Sequence, residues 1–159
     1  MSLSFANPPK IFRGALVTRT SGQVIPNNAL TTVLWQSEVY DTDEMFSVAV
    51  NAGRIYIPNI GPTLGAPFSG IMAQAKFSLT FPANGTGMRY ANLSSTSGLG
   101  VIVLDQIQGS ASTICVLHGI TPWINILPGQ YFWVEVYQNS GGPLTLNWTT
   151  ETHFGVSIY

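Results

Sequence analysis

A chain of 159 residues makes one ordinary domain, long enough to bury a single continuous core. Only 8% of its residues are charged, against roughly 25% in a usual soluble domain, while apolar residues reach 45%. Six Lys and Arg against seven Asp and Glu give a formal net charge of −1, which excludes the basic field that nucleic acid or an anionic membrane surface would need.

The chain opens on MSLSFANPPKIFR, in which no basic segment leads into an apolar signal core. Its NPPK segment favours extended backbone; residues 1–13 are read as a leader or tether and 14–159 as the domain. From there Gly and Pro break the chain about every ten residues, and the runs between are rich in Val, Ile, Thr, Tyr and Phe, the pattern of short strands. Candidate strands, in chain order, are 12–20, 31–36, 45–50, 54–58, 71–81, 88–94, 101–106, 112–126, 131–138, 144–148 and 153–159. Helical periodicity is almost absent: even Ser112 to Leu117, free of Gly and Pro, is dominated by β-branched side chains that lose χ1 freedom in a helix. Strands of this kind need a second sheet over their inner faces, so the fold class is all-β, a sandwich or jelly roll.

Chemistry-bearing residues are sparse. YDTDEM gathers Asp41, Asp43 and Glu44, the sole concentration of acids. Its spacing lacks the EF-hand pattern, and a turn whose Asp side chains bond their own backbone outweighs a calcium site. PANGTG (Asn84, Gly85, Thr86) and QNSGG (Asn139, Ser140, Gly141) are polar turn formers, expected at exposed loop tips. NLSSTSGLG lacks the Gly-x-Ser-x-Gly elbow that exposes a nucleophile, and no βαβ unit surrounds SGLGVIV to make it a dinucleotide fingerprint. The single cysteine, Cys115, excludes an intrachain disulfide framework and a Cys-based zinc site, and reads as a buried inert thiol. His118 and His153 stand far apart with no His or carboxylate at ligand spacing. The expectation is no catalysis, no cofactor and no metal. No apolar run approaches the roughly 20 residues of a membrane span.

The densest signal is LPGQYFWVEVYQNSGGPLTL, residues 127–146. After the Pro128-Gly129 turn, strand alternation puts Phe132, Val134 and Val136 on one face and Tyr131, Trp133, Glu135 and Tyr137 on the other. The aliphatic face belongs in a core. Three aromatics with one carboxylate are too apolar for open solvent and too polar for a core, which marks a contact surface; an assembly interface outweighs a carbohydrate platform. Low charge agrees, since copies of such a chain have little repulsion to keep them apart.

GQYFWVEVYQNSGG resembles the penultimate-strand segment of the C1q/TNF-like family, and the closing HFGVSIY its last strand. GALVTRTSGQVIPNNALTTVLWQSEVYDTDEMF, GRIYIPNIG and NGTGMRYANL follow the same scheme in the form seen in bacteriophages and bacteria, so the resemblance covers about Gly14 to Tyr159. It implies a ten-stranded jelly-roll sandwich forming a compact homotrimer, with the threefold contact lined or supported by Tyr131, Trp133, Tyr137, Phe154, Ile158 and Tyr159. No collagen-like repeat or heptad stalk precedes it, and the loop Asn59 to Gly70 is longer than the family's usual connection. The function this implies is a structural component on the exterior of a phage particle, a capsid decoration, head-fibre or knob protein located on the virion surface, with capsid or fibre proteins as partners. The alternative is a receptor- or glycan-binding tip facing the host surface. The Met1 start without a stalk favours the first.

Overall fold

The structure is a computed structural model that describes residues 12–59, 70–147 and 151–159. Thirteen strands and one helical turn lie among them: β1 (Arg13–Thr18), β2 (Gln23–Ile25), β3 (Thr31–Thr32), β4 (Ser37–Asp41), α1 (Val48–Asn51), β5 (Arg54–Tyr56), β6 (Ile71–Phe81), β7 (Met88–Ser95), β8 (Gly100–Gln108), β9 (Cys115–Ile120), β10 (Ile124–Ile126), β11 (Tyr131–Gln138), β12 (Leu144–Leu146) and β13 (His153–Ile158). Every pairing between them is antiparallel. A six-stranded sheet runs β10-β6-β13-β1-β4, with β9 continuing the β10 edge of β6. A five-stranded sheet runs β3-β11-β7-β8, with β5 beside β3 on the same edge of β11, and β2 pairs with β12 in a short ribbon.

Alternation decides which faces meet. In β6, Ala73, Ala75, Phe77 and Leu79 are buried while Met72 and Lys76 are exposed. The facing sheet buries Leu93, Phe132, Val134 and Val136, and Trp35 packs between them with its ring 5.6 Å from that of Phe154. Along one side the two sheets close on each other: Asp105 of β8 accepts the His118 N–H of β9 at 2.8 Å, and Gly119 lies so near Val103 and Phe77 that a Cβ would come within 2.6 and 2.8 Å of them. Gly14 faces the same constraint within a sheet, because a Cβ there would lie 2.3 Å from the Val156 carbonyl oxygen.

Thirteen strands stand where the family resemblance implies ten, because short ladders such as β2, β3, β10 and β12 count separately. Arg13, read as the end of the leader, opens β1 opposite Ile158; residues 1–11, 60–69 and 148–150, and with them most of the Asn59 to Gly70 loop and Trp148, lie outside the described residues. Residues 45–50 are not the expected strand. The Asp41 carboxylate gathers the backbone N–H groups of Asp43, Met45 and Phe46, turning the chain, and Ser47 then caps α1 by accepting from Val50. The expected strand 112–126 divides into β9 and β10 at Thr121-Pro122-Trp123, where proline has no N–H to give a ladder. Thr121 bridges the break: its N–H donates to the Ala75 carbonyl and its hydroxyl accepts from Ala75 N–H. Of 31–36 only β3 forms a ladder, and β2 and β4 were not anticipated by the pattern.

The registers also fix the ends of the sandwich. Arg13, Ile158, Ile71, Ser95 and Tyr131 close one end, whereas Phe81, Met88, Gln108, Cys115 and Gln138 close the other. The loops 82–87 and 139–143 are therefore opposite Arg13 and Tyr159.

Candidate functional site

Strand β11 delivers the expected alternation. Phe132, Val134 and Val136 are fully buried, and Tyr131, Trp133, Glu135 and Tyr137 point outward, half-buried. Antiparallel register then assembles a surface that no single strand encodes. Tyr131 lies opposite Tyr56, Trp133 between Arg54 and Ser94, Glu135 between Thr32 and Asn92, and Tyr137 opposite Tyr90. Ring centroids are 5.2 Å apart for Tyr56 and Tyr131, 5.5 Å for Tyr131 and Trp133, and 4.9 Å for the stacked Tyr90 and Tyr137. These are favourable aromatic separations. The Tyr137 hydroxyl donates to Asn28 at 3.0 Å, which fixes that end of the row.

Arg54 sits with its guanidinium carbon 4.2 Å from the centre of the Tyr131 ring, a cation–π distance. Its hydrogen bond to the Tyr56 hydroxyl, 3.4 Å long, holds the guanidinium above its ordinary pKa against an opposing effect of burial. Neither Arg54 nor Glu135 belongs to an ion pair among the described residues. Beside them lies a groove of about 420 Å³, lined also by Thr32, Leu34, Asn51, Gly53, Tyr131 and Trp133. The volume falls inside the roughly 300–1,000 Å³ of small-molecule sites. Gly53 keeps the wall tight, since a Cβ there would come 2.9 Å from the Thr32 methyl.

No family model matches this chain, and no curated protein matches it. Solved structures do. Murine APRIL at pH 5.0 superposes with a TM-score of 0.66 at 10% identity, covering 93% of this chain and 99% of that one. The globular domain of zebrafish complement 1qA gives 0.60 at 16%, covering 92% and 94%, and Eiger TNF from S. frugiperda gives 0.59 at 10%, covering 93% and 92%. The fold is a C1q/TNF-like jelly roll.

Within this C1q/TNF-like frame the remaining candidate residues take different places. Phe154 and Ile158 belong to the core, so they could support a contact but not line one; Tyr159 is 81% exposed. Gly85, Thr86 and Gly141 are exposed at loop tips. Asn84, Asn139 and Ser140 are half-buried and bonded: Asn139 accepts from Met88 N–H, and Ser140 donates to Gln138 through its N–H and hydroxyl. Sequence reasoning missed Arg89, which is fully buried and donates to the carbonyls of Asn84, Thr86 and Gly87, pinning the 82–87 loop from beneath. It also missed Arg54, Asn51 and Gly53; the available signal was a lone arginine in GRIYI two residues before Tyr56.

The histidines are not as isolated as their sequence separation suggests. Register places both opposite Ser78, on the outward face of the six-stranded sheet, with Asp105 beside His118. Among the described residues no group of three or more His, Cys, Asp or Glu side chains is arranged to hold a metal ion. Cys115 is buried, as expected of its apolar run.

In the acidic turn Asp41 is spent on backbone N–H groups, while Asp43 pairs with Arg13 and accepts from Thr42. The Arg13 hydrogen bond holds the Asp43 carboxyl below its ordinary value. A carboxylate with a depressed folded-state pKa contributes stability above the unfolded value, about 3.9 for Asp, and loses it as pH falls through the depressed one. Thermal melts should therefore show an acid-side loss below about pH 4 that Asp43→Asn reduces. The pair is partly exposed, so the effect is small; identical acid limbs for the two proteins would refute it.

Proposed function

We propose that the chain is a non-catalytic, self-associating C1q/TNF-like head that forms a structural component on the exterior of a bacteriophage particle, as a trimeric decoration, head-fibre or knob protein. The observation that carries self-association is the outward face of the six-stranded sheet. Its centre carries Gly14, Gln74, Gly155 and Ser157, with Leu16 and the single cation Lys76 on either side of Gly155. Its two edges are apolar and unlike each other. Along β9 and β10 stand Ile120 (57% exposed), Trp123 and Leu127. Along β4 stands Val39 (60% exposed), beside Tyr40, which Phe12 meets edge-on at 5.3 Å. Burial already raises the Tyr40 hydroxyl pKa. Two unlike edges suit a head-to-tail contact, which makes a ring where the rotation closes, and the family resemblance selects three copies.

Light scattering should give a mass near three times 17.1 kDa, and Ile120→Glu, an exposed change that spares the core, should shift it toward the monomer. A stable monomer at micromolar concentration would overturn the assembly reading. The phage setting rests on the resemblance to phage and bacterial forms. Deleting residues 1–10 should abolish attachment to the particle while leaving the assembly intact, and a short insertion at Asn84-Gly85, opposite Arg13, should be tolerated for attachment. The reverse pattern would favour the receptor-binding tip. No helix among the described residues is long and apolar enough to cross a membrane.

A further inference from the structure

We propose that the groove over Trp133 is a saccharide site that takes a neutral pyranose, its C–H face on the Trp133 ring and its hydroxyls shared between Glu135 and the Arg54 guanidinium that covers Tyr131. The inference goes beyond assembly and stands without it, because the groove is complete within one chain and lies on the five-stranded sheet, opposite the face proposed for assembly. Trp133, tilted 53° from Tyr131, provides an aromatic ring in the groove, which suits the C–H face of a sugar ring. Directional polar groups then rise at its sides. The Glu135 carboxylate forms no ion pair and no hydrogen bond among the described residues, and Arg54 has only the long contact to Tyr56 and the Tyr131 ring. Asn51 spends its carbonyl oxygen on Gly53 N–H, leaving its amide donors for a ligand.

Charge selects the class of ligand. One carboxylate and one guanidinium in the groove sum to zero, so an acidic sugar attracted by Arg54 meets Glu135. A neutral sugar offers hydroxyls that donate to the carboxylate and accept from the guanidinium at once. A second protein copy laid flat on this face would desolvate both charges without partners, which is costly; a polyhydroxylated ligand satisfies both while leaving their outer sides wet.

The test uses the full chain with methyl glycosides of glucose, galactose and mannose, and with N-acetylneuraminic acid as the acidic probe, by saturation-transfer NMR at millimolar concentration and by tryptophan fluorescence. At least one neutral glycoside should receive saturation on its C–H protons and perturb the fluorescence. Glu135→Gln, which keeps the side-chain shape, and Arg54→Gln, which is shorter but at a half-buried surface position, should each weaken binding about tenfold while leaving mass unchanged. Absence of transfer to every neutral glycoside, transfer indifferent to both variants, or stronger binding of N-acetylneuraminic acid would each overturn the proposal. The light-scattering mass is unaffected by any of these results, so this reading and the assembly reading fail separately.

Discussion

Trp35→Ala should cost about 3–5 kcal/mol of folding stability, because a fully buried ring at the centre of the core leaves a cavity that a close-packed interior only partly collapses. For a domain of this size that is a fall in melting temperature of roughly 6–20 °C. The indole N–H has no hydrogen-bond partner among the described residues, and an orphaned buried donor costs about 1–3 kcal/mol. Trp35→Phe should therefore lose much less than its smaller volume suggests, since it keeps a ring against Phe154 and removes the orphan. Chemical denaturation of the two variants checks both statements; equal losses would mean that the indole N–H is satisfied in solution.

Arg89→Ala should bring a loss of similar size, about 3–5 kcal/mol, through lost packing of the arginine stem and three carbonyl groups stripped of their charged donor. Arg89 reaches the Thr86 and Gly87 carbonyls through one terminal nitrogen and Asn84 through the other. Lysine has one ammonium where arginine has a fork, so Arg89→Lys should recover only part of the loss. The damage should concentrate in the 82–87 loop, visible as faster amide exchange at Gly87 and Gly109, whose N–H donates to Gly87. A loss below about 1 kcal/mol would mean that water replaces the guanidinium at little cost.

The surface residues show how far linear reasoning carries. Tyr131, Trp133, Glu135 and Tyr137 could be placed on one outward face because a strand has a fixed period of two, and the structure puts them there. Their neighbours could not be named. Arg54, Asn51 and Gly53 reach the same groove from a different strand and a helical turn, through a register set by Tyr131 opposite Tyr56. Phe154 and Ile158 alternate with polar residues much as an interface strand would, yet the sheet that covers them makes them core. His118 and His153 are 35 positions apart in the chain, and only the pairing of both β9 and β13 with β6 brings them to either side of Ser78.

By itself the sequence determined the all-β class, the strands 71–81 and 131–138 to the residue and the buried cysteine, since each depends on composition or on alternation within one short segment. Only the tertiary structure decided the turn at 45–50, where one carboxylate collects three backbone N–H groups, and the break in 112–126, where Thr121 carries the pairing past a proline. The same holds for the buried guanidinium beneath the 82–87 loop and for the groove between Arg54 and Glu135. Each arises from groups distant in the chain meeting across a sheet or loop, and local propensity holds no information about which distant group arrives.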